Sequence, residues 1–201
     1  MTRIREDILN KAIALFLQQG VWNVSMDEIA AYADVSKMTL YKYFDDKTGL
    51  LEQVGYAIVT HAQSGFLHVE DSEMTLTARM ADFLTEAATF VDNGYYQLCI
   101  DLCEKSDKIQ KAFTIFKRAQ ERILGELIEE GIVQHRFKPE LDSRMIFDYI
   151  NMGIAYYENH APYREQMTKD LDFRDRMMRF LVGNIFLDDA SVLEYGEYDG
   201  T

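Results

Sequence analysis

The chain has two prolines in 201 residues, and that scarcity narrows its fold more than any motif does. Proline breaks a helix by removing a donor and clashing with the turn before it. With only Pro139 and Pro162 present, helices elsewhere can run uninterrupted. Glycine is modest at 11, and no stretch shows the period-two alternation between turn residues that marks strands. Apolar residues recur instead at helical spacing. Ile4, Ile8, Ala12, Leu15 and Phe16 form one stripe, closed by Gly20 at a helix C′ position. Met80, Phe83, Leu84, Ala87 and Phe90 form another, and Ile109, Phe113, Phe116, Ile123, Leu127 and Ile128 a third. The expectation is an all-α chain of about nine helices.

One short helix, Ser36 to Phe44, has an unusual surface. Ser36 is a good N-cap. At 3.6 residues per turn Leu40 and Phe44 share a face, which plugs the helix into a small core. The far side carries Met38, Thr39 and Lys42, flanked by Tyr41 and Tyr43, with no carboxylate before Asp45. That set suits the major groove: Lys donates to guanine acceptors, Thr touches a thymine methyl, and Tyr hydroxyls reach phosphates. Ahead of it, Ser25-Met26-Asp27-Glu28 reads as a capping box opening a helix through Ala33. Asp34-Val35 then turns the chain into Ser36, completing a helix-turn-helix over about 25–44. Behind it, Asp46 is the N-cap of a fourth helix, and Lys47 falls in its first turn. The helix dipole gives a cation no help there, so an external phosphate arriving at that terminus would account for it. The candidate DNA contacts are Ser25, Ser36, Lys37, Met38, Thr39, Tyr41, Lys42, Tyr43 and Lys47.

The run Ile8 to Ala12, with Leu15-Phe16, Gly20, Val24-Ser25, Ile29-Ala30, Ala33 to Ser36, Thr39 to Phe44, Lys47 and Leu50-Leu51, resembles the N-terminal domain of TetR/AcrR-type transcriptional regulators. The resemblance covers the first quarter of the chain. It implies a three-helix DNA-binding domain over 1–47, a connecting helix 4 over 48–65, and an effector-binding, dimerising domain over 66–187. An acidic tail follows over 188–201. In this family the last two long helices, here about 142–159 and 170–187, pair with their mates across a four-helix dimer interface. The partners implied are a palindromic double-stranded operator, a second copy of the chain and a small-molecule effector. Phe83, Phe90, Tyr96, Phe113, Phe116, Tyr149 and Tyr156 are candidates to line the effector pocket. The function implied is a ligand-responsive regulator, a repressor released when effector binding tilts helix 4. Two positions depart from the family pattern: Asp34 stands where Gly is usual, and Met38 where a small residue is common.

Charge bears on the DNA reading. The net charge is −13, but residues 1–65 hold 6 Lys+Arg against 8 Asp+Glu, and residues 66–201 hold 15 against 26. The acid therefore sits in the C-terminal part. A weak field over the head predicts modest non-specific affinity and a shallow salt dependence. It also leaves open a second reading, in which the chain acts through a protein partner or as an activator, with weak or no autonomous DNA binding. The two cysteines, Cys99 and Cys103, share a helix face and read as core. The four histidines lack metal-ligand spacing, and no nucleophile elbow or phosphate loop appears. The expectation is no enzyme, no cofactor and no metal. No apolar run is long enough to span a bilayer, and the N-terminus lacks a signal-peptide core, so the expected compartment is the cytoplasm.

Overall fold

Neither proline interrupts a helix. Pro139 lies in the bend after the longest helix, and Pro162 sits in the first turn of another. The computed structural model describes residues 3–70 and 73–187. In chain order the helices are α1 (Arg3–Gln19), α2 (Met26–Tyr32), α3 (Lys37–Tyr43), α4 (Lys47–Gly65), α5 (Leu76–Asp92), α6 (Tyr95–Cys103), α7 (Asp107–Val133), α8 (Ser143–Asn159), α9 (Ala161–Lys169) and α10 (Leu171–Gly183). A 3₁₀ turn, Phe66–Glu70, follows α4. The all-α expectation holds. The acidic tail, 188–201, lies outside the described residues.

Two local differences have plain causes. The described residues form ten α-helices rather than about nine, because Pro162 starts α9 instead of blocking it. In the first turn the missing N–H costs nothing and the fixed φ suits the helix, while His160 Nδ1 accepts from the Tyr163 N–H at 3.2 Å. The run from His68 to Glu73 reads in the sequence as a polar linker, but its start belongs to the 3₁₀ turn Phe66–Glu70, in which Phe66 and Val69 are buried.

The chain divides into two units. The first groups Met1–Gly65 with Phe90–Arg118. Its core takes Ile8, Phe16, Leu40, Ile109 and Phe116 from the stripes read in the sequence and adds Leu50, Val54, Ile58 and Leu102, all of them buried. It brings α6 and the first part of α7 onto the helices of the N-terminal head. Gly55 on α4 makes the approach to α7 possible, since a Cβ there would lie 2.9 Å from Ile109 Cγ2. A polar joint flanks that contact. Glu52 accepts from Ser106 Oγ at 3.0 Å and from Lys108 Nζ at 2.9 Å.

The Glu52 carboxyl is held below the ordinary value of 4.5 by the hydrogen bond from Lys108, then by that from Ser106. Lys108 is correspondingly raised by Glu52. A carboxylate with a lowered folded-state pKa contributes stability that is complete above its unfolded value and fades as pH falls through the lowered one. The denaturant midpoint of the native protein is therefore expected to fall more steeply below pH 4.5 than that of Glu52→Gln. Parallel acid limbs for the two proteins would remove the joint from the account.

The second unit groups Phe66–Thr89 with Ala119–Thr201. Arg79 on α5 ties it together, donating from Nη1 to Glu130 Oε2 at 2.6 Å and from Nε to the Val69 carbonyl at 2.7 Å. After α7, His135 adopts φ +52° and turns the chain back. An isolated antiparallel bridge then joins Phe137 to Phe186, with the Lys138 N–H donating to the Ile185 carbonyl at 3.0 Å. The two rings meet edge-on at 4.9 Å. Along α8 and α10, Met145, Met152 and Phe180 remain exposed, the last two at 63% and 66%.

Candidate nucleic-acid interface

The turn between α2 and α3 forms from local chemistry. Ser25 and Glu28 make the full capping box: Ser25 Oγ accepts from the Glu28 N–H, and the Ser25 N–H donates to Glu28 Oε2 at 2.7 Å. The Ser25 hydroxyl, which donates to Glu28 Oε2 at 2.7 Å, and then the Ser25 N–H hold the Glu28 carboxyl below its ordinary range. Asp34 adopts φ +53°, the left-handed conformation that Asp tolerates better than most residues. The turn with Asp in place of Gly thus forms. The Val35 N–H reaches the Ala30 carbonyl at 3.0 Å, and Ser36 Oγ caps α3 by accepting from the Thr39 N–H at 3.0 Å.

Several residues singled out as DNA contacts already have partners inside the protein. Ser36 Oγ and Thr39 Oγ1 bond to each other at 2.9 Å. Lys37 Nζ pairs with Asp27 Oδ2 at 2.6 Å, tying α3 to α2. Lys47 Nζ donates to the carbonyls of Val24 at 2.6 Å and Val21 at 3.1 Å. Its ammonium therefore braces the connection between α1 and α2, which accounts for a lysine in the first turn of α4 without an external phosphate. Asp46 caps that helix as expected, accepting from the Gly49 N–H at 2.7 Å. Arg5 donates to Gln53 Oε1 and lies 5.7 Å from the centroid of the Phe44 ring. The sequence marks neither Asp27, Gln53 nor the two carbonyls as partners, because each pairing joins residues distant along the chain.

What stays free on α3 is its outer face. Leu40 is fully buried, and Phe44 is buried beside it. At 100° per residue, Met38 and Lys42 lie roughly opposite Leu40. Met38 is 82% exposed. Tyr41 is exposed at the edge of that face, and Tyr43 is half-buried. Lys42 has no ion-pair or hydrogen-bond partner among the described residues. Trp22 is half-exposed, with Lys105 Nζ 3.6 Å from the centroid of its ring. A cation over an indole face is stabilised by the ring quadrupole without burial.

The aromatic residues proposed for an effector pocket divide between the units. In the first, Phe90 packs on Phe116 at 5.3 Å and Phe113 at 6.4 Å, and Tyr96 meets Phe113 at 6.1 Å. In the second, Phe83 is buried against Phe66 at 5.4 Å. Tyr149 accepts at its hydroxyl from Asn184 Nδ2 at 3.3 Å, and Tyr156 is exposed and stacked on His160 at 4.7 Å. The second unit also has an open groove of about 220 Å³ lined by Gly125, Ile128, Glu129, Ser143, Arg144 and Phe147. No periodicity announces it. Cys99 is buried, and that burial pushes its thiol up to about 12. Among the described residues no group of three His, Cys, Asp or Glu is placed to hold a metal ion, and no helix is long and apolar enough to cross a membrane.

Residues 8–54, the stretch that builds this helix-turn-helix, match the model for bacterial regulatory proteins of the tetR family. The N-terminal domain is that of tetR-family transcriptional regulators. The chain's similarity to full-length relatives runs past the head. It is 24% identical over 187 residues to the probable HTH-type transcriptional regulator YttP of Bacillus subtilis, covering 81% of this chain and 87% of that protein. It is 19% identical over 166 residues to the HTH-type transcriptional repressor KstR2 of Mycolicibacterium smegmatis, covering 79% and 81%. In structure it is similar to the ketosteroid transcriptional regulator KstR2 of Mycobacterium tuberculosis, with a TM-score of 0.67, 16% identity and coverage of 94% and 97%. At that identity the likeness is one of fold. These relatives are regulators rather than enzymes.

Proposed function

We propose that the chain is a repressor that binds a palindromic operator as a homodimer in the cytoplasm and leaves it when a small effector binds the C-terminal part. The observation that carries this reading is the outer face of α3. It offers Met38, Tyr41 and Lys42 to a groove while Leu40 and Phe44 anchor the helix. The family match of the N-terminal domain and the repressor name of a relative support the direction of control. The head over 1–47 would do the reading, α4 the transmission, and 66–187 the effector binding and dimerisation. Met145, Met152 and Phe180 on α8 and α10 are exposed apolar side chains of the kind a partner covers. A two-fold dimer is what two half-sites about 34–36 Å apart require. Effector binding that changes this spacing by tilting α4 would release DNA through a coupling of about 1–3 kcal/mol.

Phosphate contacts come from few cations, because Arg5, Lys37 and Lys47 are engaged by other groups of the N-terminal unit. With Lys42 as the cation left on the reading face, a dimer neutralises few phosphates. A log–log salt slope of only about −2 to −4 is the expected result. The test is a gel shift of the full chain against its own upstream DNA across salt concentrations. Salt-sensitive binding of that slope supports the reading. Absence of salt-sensitive binding would overturn it and favour the second reading, action through a protein partner, which the head's net −2 motivates.

A further inference from the structure

We infer that Met38 is the specificity-determining residue of α3 and that it reads the C5-methyl group of a base in each half-site, a thymine in ordinary DNA. The inference rests on the DNA-binding reading above and names what that helix face recognises. It follows by subtraction. The hydroxyls of Ser36 and Thr39 bond to each other, and Ser36 Oγ also takes the Thr39 N–H. Lys37 pairs with Asp27 at the surface, and Lys47 donates to two carbonyls. Part of the hydrogen-bonding capacity of the first turn of α3 is therefore already taken up inside the protein.

The side chain that projects there is a thioether, 82% exposed, opposite the buried Leu40. Methionine has no donor and only a weakly accepting sulfur. Of the groups bases present in the major groove, the one it complements is the C5-methyl of thymine; the rest are donors and acceptors that would lose water without a partner. Thioether chains are long and adaptable, so Met38 can follow a methyl in a groove that a shorter residue would not reach. Lys42 stands one turn further along the same face. A turn advances 5.4 Å and a base pair about 3.4 Å, so a guanine contacted by Lys42 would lie about one or two base pairs from the methyl.

The experiment uses duplexes selected from a random library by the full-length protein, then resynthesised with deoxyuridine replacing thymine one position at a time. Uracil pairs as thymine does and lacks only the methyl. The expected result is one position per half-site where uracil weakens binding about three- to fivefold, the scale of burying one methyl group, and where 5-methylcytosine opposite guanine binds better than cytosine. Met38→Ala should bind the thymine and uracil duplexes equally at that position. Thr39→Ser, which removes the other methyl on this face, should keep the preference. Because Met38 is exposed, the Ala variant should unfold at the native midpoint, so a loss of discrimination is not a loss of fold. A selected duplex with no uracil-sensitive position overturns the inference alone, as does discrimination that survives in Met38→Ala or vanishes in Thr39→Ser. If no duplex is selected at all, the DNA-binding reading falls first and this one with it.

Discussion

Leu40→Ala is expected to remove about 2–5 kcal/mol of stability from the N-terminal unit, the range for truncating a fully buried leucine, and to abolish binding to the selected duplex. The helix α3 has seven residues, too short to persist in water by its own propensity. Leu40 is its one fully buried side chain, with no exposed surface, and the adjoining Phe44 is buried at the helix end. Truncating Leu40 leaves a cavity in the middle of the contact that orients Met38 and Lys42. Total stability of a domain is only about 5–15 kcal/mol, so the loss is a large share of it. Urea unfolding followed by circular dichroism, beside a gel shift of the same preparation, checks both parts. A variant that unfolds within about 0.5 kcal/mol of the native protein, the range of ordinary surface changes, would show that α3 is not held through Leu40.

Two glycines of α7 should respond in opposite ways to the same substitution. Alanine is a better helix former than glycine by about 0.8–1.0 kcal/mol. At Gly125 a Cβ meets nothing within 4 Å, so Gly125→Ala should stabilise by up to that amount. At Gly131 a Cβ would lie 2.2 Å from Phe137 Cε2, 2.6 Å from Cζ and 3.0 Å from Leu76 Cδ2. The Phe137 ring is buried against Phe186, and its backbone is pinned by the bridge to the chain after α10. It has little room to move aside. Overpacking of this kind costs about 1–3 kcal/mol, so Gly131→Ala should be net destabilising. Denaturant midpoints of the two variants, measured side by side, decide the matter. A stabilised Gly131→Ala would mean that the Phe137 bend gives way easily.

Much of the fold was legible because its causes are local. The stripes of α1, α5 and α7, the Ser25–Glu28 box, the αL turn at Asp34, the Ser36 and Asp46 caps and the C′ role of Gly20 each depend on residues a few positions apart. Short-range spacing carries that information. Helix α9 was missed for a local reason too: Pro162 reads as a breaker until its place in the first turn is known. The outer face of α3 was likewise legible from periodicity alone. What charge each lysine contributes to that face was not. Asp27 pairs with Lys37, and carbonyls from the connection between α1 and α2 hold Lys47.

The sequence by itself determined that the chain is all-helical, where its helix-turn-helix lies, and which side of α3 faces out. Each follows from helical period and capping chemistry within a turn or two. Only the tertiary structure decided that α6 and the start of α7 join the N-terminal unit, through Gly55 of α4 against Ile109 and Glu52 of α4 against Ser106 and Lys108. It also decided that Arg5, Lys37 and Lys47 have partners inside the protein, while Met38 and Lys42 stay free on the outer face of α3. Those outcomes depend on which distant groups come within hydrogen-bonding or packing distance. No local period encodes that.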